Sequence, residues 1–176
     1  GVARQPGQTR LDLAQTNVNI LKSIIPQITK YAPDATYIIV SNPVDILTYT
    51  FCKCSGIPEE KIIGSGTILD TSRLRTFISE HFSVSQQNVH AYVLGEHGDS
   101  SFVNWTSATI GGLSLDEFCR QTKNAVPQTT RNTIEHRVRN AAYEIIRGRG
   151  ATWDGIGAAV ADLLRCIIND EHRILT

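Results

Sequence analysis

The chain has no methionine among its 176 residues. It also has no apolar run near the roughly 20 residues that a membrane-spanning helix needs. Neither charge is in excess: 17 Lys and Arg balance 17 Asp and Glu, for a formal net charge of zero. A nucleic-acid-binding or membrane-surface protein would carry a basic excess or stripe, so both classes are set aside. Metal-ligand spacing is missing too, because Cys52, Cys54, Cys119 and Cys166 form no CxxC and flank no histidine pair. Reduced thiols of a cytoplasmic protein are expected instead, and no metal. The opening Gly1-Val2-Ala3 is neither a start nor a targeting signal, as in an internal fragment of a longer chain.

What is present suits one large domain or parts of two: 41% of the residues are hydrophobic, enough to bury a core. Residues 1–10 hold two Gly, one Pro and two Arg, the composition of a polar loop. Leu11, Ala14, Val18, Leu21, Ile25 and Ile28 then recur at helical spacing and predict a helix to about Lys30, which Pro26 should kink or end early. Ala35 to Ser41 is apolar on both parities, as in a strand buried on both faces of a parallel sheet. Val44 to Ser55 reads as a helix stopped by Gly56, Lys61 to Ile63 as a short strand, and Thr67 to His81 as another helix. Helix, strand, helix, strand is an α/β order, and strand ends at Asn42 and Gly64–Gly66 would share the sheet edge where such folds bind ligands.

Beyond Asn88 the pattern shifts. Val89 to Leu94 predicts one strand, and Ser101 to Trp105 another extended piece. Ser114-Leu115-Asp116-Glu117 is a capping box. A helix is expected from about Gln128 to Arg147 on the stripe Ile134, Val138, Ala141 and Ile145, broken by Gly148-Arg149-Gly150. A last one runs from about Ala151 to Asn169 on Ile156, Val160, Leu163 and Ile167. The predicted boundary lies near residues 64–66, with a sheet-building part at 1–64 and a more helical part at 65–176.

The run Leu94-Gly95-Glu96-His97-Gly98-Asp99-Ser100 puts an imidazole between two glycines at a strand end, where a ligand can approach closely. Asp70 lies 27 residues earlier, with Arg73 on the same helix face. A base, a carboxylate to orient it and a guanidinium to grip an anion are the parts of an acid–base site. Taken singly, each has a bland reading: Asp70 and Arg73 as a surface ion pair, His97 as a solvated histidine, Arg4 and Arg10 as loop charges.

The segments ARQPGQTRLDL, VSNPVDILTY, GSGTILDTSRLR, NVHAYVLGEHGDSS and RGATWDGI follow one another as in the lactate/malate dehydrogenase family, which the chain resembles along nearly its whole length. The resemblance implies the C-terminal part of a Rossmann-type NAD-binding domain followed by part of a mixed α+β substrate domain. It also implies hydride exchange between NAD and a 2-oxo acid. His97 resembles the proton donor and acceptor at the C2 oxygen, and Asp70 the carboxylate that stabilises its imidazolium. Arg73 resembles the residue that holds the substrate carboxylate bidentately, and Arg10 the loop arginine that polarises the C2 carbonyl as the loop closes. Asn42 and Ser65 match positions near the nicotinamide and its ribose, Ile156 the apolar wall behind the ring, and Thr152 the pocket beside C3.

Arg4 departs from the lactate-type pattern, which resembles glutamine there, and would pair with the second carboxylate of oxaloacetate. Thr152 points the other way, as do Arg75 and His90, which match a fructose 1,6-bisphosphate site between subunits of bacterial lactate-type members. The reading favoured is reversible reduction of pyruvate to L-lactate by a cytoplasmic, fermentative, glycolytic homotetramer, with oxaloacetate and malate as the alternative substrates. No GxGxxG turn occurs in the chain, so a non-catalytic fragment without detectable NADH binding is the reading from a different class.

Overall fold

The computed structural model describes Val2, residues 10–150 (side chains from residue 13 onward) and residues 152–176. It divides into two compact units, Gly1–Gly66 and Thr67–Thr176.

The first unit holds α1 (Arg10–Tyr31), β1 (Tyr37–Ile39), α2 (Val44–Ser55) and β2 (Ile62–Gly64). The strands β1 and β2 pair in parallel, Tyr37 opposite Ile62 and Ile39 opposite Gly64. Ile25, Phe51, Ile57 and Ile62 are the buried cluster, with Leu21, Tyr37 and Ile39 packed on it. Each such side chain contributes on the order of 1.5–3 kcal/mol on burial.

Two expectations fail here. Pro26 does not end α1, which runs five residues past it to Tyr31. Pro26 and Lys22, whose carbonyl loses its helical donor, are both on the exposed side of the helix, where water can replace that bond. The first strand is half-buried along its length, not buried on both faces; Tyr37 and Ile39 pack on the cluster of Ile25, Phe51, Ile57 and Ile62.

The second unit begins with α3 (Ile68–Phe82), followed by β3 (Val89–His90), β4 (Val93–Leu94), β5 (Phe102–Val103), β6 (Thr109–Ile110) and β7 (Leu113–Ser114). Helices α4 (Leu115–Thr122), α5 (Gln128–Arg149) and α6 (Asp154–Ile168) complete it. Leu74, Ile78, Val89, Val93, Ile110 and Leu115 are almost wholly inaccessible and form the centre of its core.

The single strand expected from Val89 to Leu94 is two short ones. Its alternation is intact, with Val89, Ala91 and Val93 all buried, but β3 pairs with β6 while β4 pairs with β5. Between them the Ala91 carbonyl accepts from Arg75 Nε at 3.1 Å in place of a strand partner. The hairpin β6–β7 turns through Gly111 and Gly112, whose φ values of 58° and 86° are those a two-residue turn demands. Ser114 caps α4 as expected, accepting from the Glu117 N–H at 3.3 Å. Helix α5 passes through Gly148 and stops only at Gly150, where φ is 81°. Helix α6 starts at Asp154 rather than Ala151 and buries Cys166, while Ile167 and, on α5, Ile145 are exposed. No helix among the described residues is long and apolar enough to cross a membrane.

Candidate active site

The site is built on the start of α3. Thr67 and Thr71 are one turn apart and both buried. Thr67 Oγ1 donates to the Val93 carbonyl at 2.7 Å, and Thr71 Oγ1 accepts from the Val93 N–H at 3.0 Å. The two hydroxyls therefore hold both backbone polar groups of Val93, the carbonyl and the N–H, in β4. Asp70, next to Thr71, is carried to the mouth of the β4–β5 hairpin, whose loop bears His97.

There, His97 Nδ1 lies 2.6 Å from Asp70 Oδ2. An ionised carboxylate only accepts, so Nδ1 carries the proton and donates. The other carboxylate oxygen, Oδ1, accepts from Arg73 Nη1 at 3.2 Å. The Asp70 and Arg73 side chains are 11% and 15% exposed, so this is not a solvated surface pair. Removing one partner of so shielded a pair leaves a charge uncompensated, which costs about 3–5 kcal/mol. In the loop, Ser100 Oγ donates to Glu96 Oε2 at 2.7 Å, and Ser101 returns to the Gly98 carbonyl through Oγ at 2.9 Å.

Asp70, Arg73 and His97 thus form one hydrogen-bonded row. Arg73 also lines a cavity of about 220 Å³ together with Leu69, Thr152, Trp153 and Ile156. Arg75 and exposed His90 line a second, larger cavity of about 720 Å³ on another part of the same unit. Arg173 and Asp162 border it too, with Arg173 Nη1 3.0 Å from the Asp162 carboxylate. The hydrogen bond from Arg173 holds the Asp162 carboxyl below the usual range. Burial pushes the neighbouring Cys166 thiol up, and its hydrogen bond to Glu171 adds to that.

In the first unit, Asn42 and Ser65 lie just beyond the C-terminal ends of β1 and β2. The Asn42 carbonyl accepts from Asn17 Nδ2 at 2.9 Å, and the Ser65 N–H donates to Ile39 at 2.9 Å. Asn42 is exposed and Ser65 is buried. Arg4 and the side chain of Arg10 lie outside the described residues. The sequence reading missed Thr67 and Thr71, whose signal was two threonines at i and i+4 around Asp70.

Residues 1–64 match the family model described as lactate/malate dehydrogenase, NAD binding domain. Residues 67–176 match the one described as lactate/malate dehydrogenase, alpha/beta C-terminal domain. The chain belongs to the lactate/malate dehydrogenase family. It is 46% identical over all 176 residues to the L-lactate dehydrogenase of Clostridium perfringens, of which it covers 56%. Identity to the L-lactate dehydrogenase of Thermus aquaticus is 47%, with 57% of that protein covered. Among solved structures, a lactate dehydrogenase from a Medee basin deep-sea metagenome library superposes with a TM-score of 0.94 at 40% identity, over 99% of this chain and 55% of that one. The chain spans little more than half the length of these relatives. In keeping with the family, its fold is α/β with a parallel strand pair in the first unit.

Proposed function

We propose that the whole protein is an NAD-dependent L-lactate dehydrogenase that interconverts pyruvate and L-lactate in the cytoplasm. The observation that carries this is the row His97–Asp70–Arg73, with 2.6 Å between imidazole and carboxylate. Asp70 keeps the proton on Nδ1, so Nε2 on the far side of the ring is the atom that exchanges a proton with the substrate C2 oxygen. As the carbonyl oxygen gains charge it takes that proton, and Asp70 stabilises the ring while it is an imidazolium. Arg73 has donors beyond the one given to Asp70 and a planar fork suited to the substrate carboxylate. Thr152 and Ile156 bound the same cavity and would set the room left for the C3 group. Arg10, the first residue of α1, would polarise the carbonyl.

Residues 1–64 are assigned to the NAD-binding domain and 65–176 to the substrate domain. The cofactor supplies the hydride to C2 when bound. An amide at Asn42 and a hydroxyl at Ser65, both at the C-terminal edge of parallel strands, fit the carboxamide and ribose of a nicotinamide nucleotide.

Arg4 is the residue that favours oxaloacetate; the lactate-type relatives and Thr152 favour pyruvate. Assay of the complete protein with both acids decides between them. Pyruvate is expected to have the higher kcat/KM, and a tenfold advantage for oxaloacetate would make Arg4 the better guide. We also infer that Arg75 and His90 bind a phosphate of fructose 1,6-bisphosphate in a homotetramer, the pair from each of two subunits clamping the anion. Their shared place on one cavity supports this reading.

A further inference from the structure

Glu135 and Arg139 stand one turn apart on α5, next to the buried Ile134 and Val138. Both reach the segment that leaves the His97 loop. Arg139 Nη2 donates to the Ser101 carbonyl at 2.9 Å and to Glu135 Oε2 at 3.1 Å. Glu135 Oε1 accepts from the indole N–H of Trp105 at 2.7 Å. Ser101 precedes β5 and Trp105 follows it closely, so two side chains of one helix hold this strand at both ends. Ser101 in turn binds Gly98, its N–H donating to the Gly98 carbonyl at 3.3 Å and its hydroxyl at 2.9 Å. Gly98 is the residue after His97.

The β4–β5 pairing covers only Val93–Val103 and Leu94–Phe102. An isolated hairpin of that size has little stability of its own, so something else must hold the loop between Gly95 and Ser101. A guanidinium bond to a carbonyl is charge-assisted and stronger than a neutral one, and Glu135 pre-orients the donor.

We propose that Arg139 is the positioning residue of the His97 loop, fixing through the Ser101 carbonyl the turn that brings the imidazole against Asp70. The inference rests on the acid–base role given to His97 above. Arg139 touches neither reacting atom; its effect is geometric, and a displacement of about 1 Å in such a site costs roughly 10²-fold in rate.

The test uses the complete protein with Arg139→Met, Arg139→Lys and Glu135→Gln. One readout is the rate at which diethyl pyrocarbonate modifies His97, followed by mass spectrometry of its peptide; the other is kcat and KM for pyruvate. In Arg139→Met, modification should quicken at least about threefold and kcat fall at least about tenfold, with KM within about twofold because Arg73 is anchored on α3. Arg139→Lys, which keeps a charged donor, should lie within about threefold of the parent. Glu135→Gln should move both readouts the same way by less, and decides the matter if Arg139→Met does not fold. Unchanged His97 reactivity in the folded variants, or equal damage from Met and Lys, overturns the proposal. Where the parent does not reduce pyruvate, the functional reading fails and His97 reactivity alone judges Arg139.

Discussion

Thr71 accepts the backbone N–H of Val93 at 3.0 Å, and through that bond α3 sets where the β4–β5 hairpin that carries His97 begins. Val93 is 1% exposed, so water cannot replace the hydroxyl. Thr71→Val keeps the shape and strands the donor, at a cost of about 1–3 kcal/mol. A lower urea midpoint and a lower kcat are expected together. An unchanged midpoint would mean that the N–H finds another partner.

Asp70 and Arg73 share one ion pair but have separate tasks in the proposed reaction. Asp70→Asn removes the charge that steadies the imidazolium and should lower kcat by roughly 10²–10³-fold, with a smaller change in KM. Arg73→Lys keeps the charge but loses the planar fork, so KM for pyruvate should rise by roughly 10–10²-fold. Steady-state kinetics of both variants separate these effects. Equal losses in kcat and KM for the two would show that the pair acts only as a structural unit.

Stability should fall at both ends of the pH range through the end of α6. Arg173 holds the folded Asp162 carboxyl below its unfolded value of about 3.9. Its stabilisation is therefore present above about pH 4 and lost as pH falls through the folded value. Cys166 is raised by burial, so the unfolded thiol, near 8.5, ionises before the folded one. Stability is then lost as pH rises past about 8.5. Urea midpoints across pH should show Arg173→Gln converging with the parent in acid, and Cys166→Ala losing the alkaline slope. Asp162 is 40% exposed, so the acid effect will be small.

Regulation has its own test. Fructose 1,6-bisphosphate should activate the parent, and an Arg75→Gln, His90→Gln double variant should lose the activation while keeping basal kcat. Activation that survives in the double variant would remove the site from the larger cavity.

Local punctuation made the helices legible: Pro43 and Gly56 bracket α2, and Ser114 opens α4. Gly111-Gly112 was a hairpin signal of the same kind, but its flanking strands are only two residues long and were missed. Where tertiary contacts override local pattern, sequence reasoning failed. Arg75 breaks the expected Val89–Leu94 strand by taking the Ala91 carbonyl, and Cys166 rather than Ile167 packs inward. The contact between Asp70 and His97 follows no helical or strand period, so residue pattern alone could suggest it but not establish it. The family resemblance supplied the expectation, and the Thr67–Val93–Thr71 bonds are the physical reason for it.

The most direct test is single-turnover NADH oxidation by the complete protein with pyruvate, compared between the parent and His97→Gln. With His97 as the proton donor, the variant should bind NADH as the parent does and turn over roughly 10²–10⁴-fold more slowly. Turnover within a few-fold of the parent would contradict the assignment of His97, and with it the mechanism built on the Asp70–His97 pair.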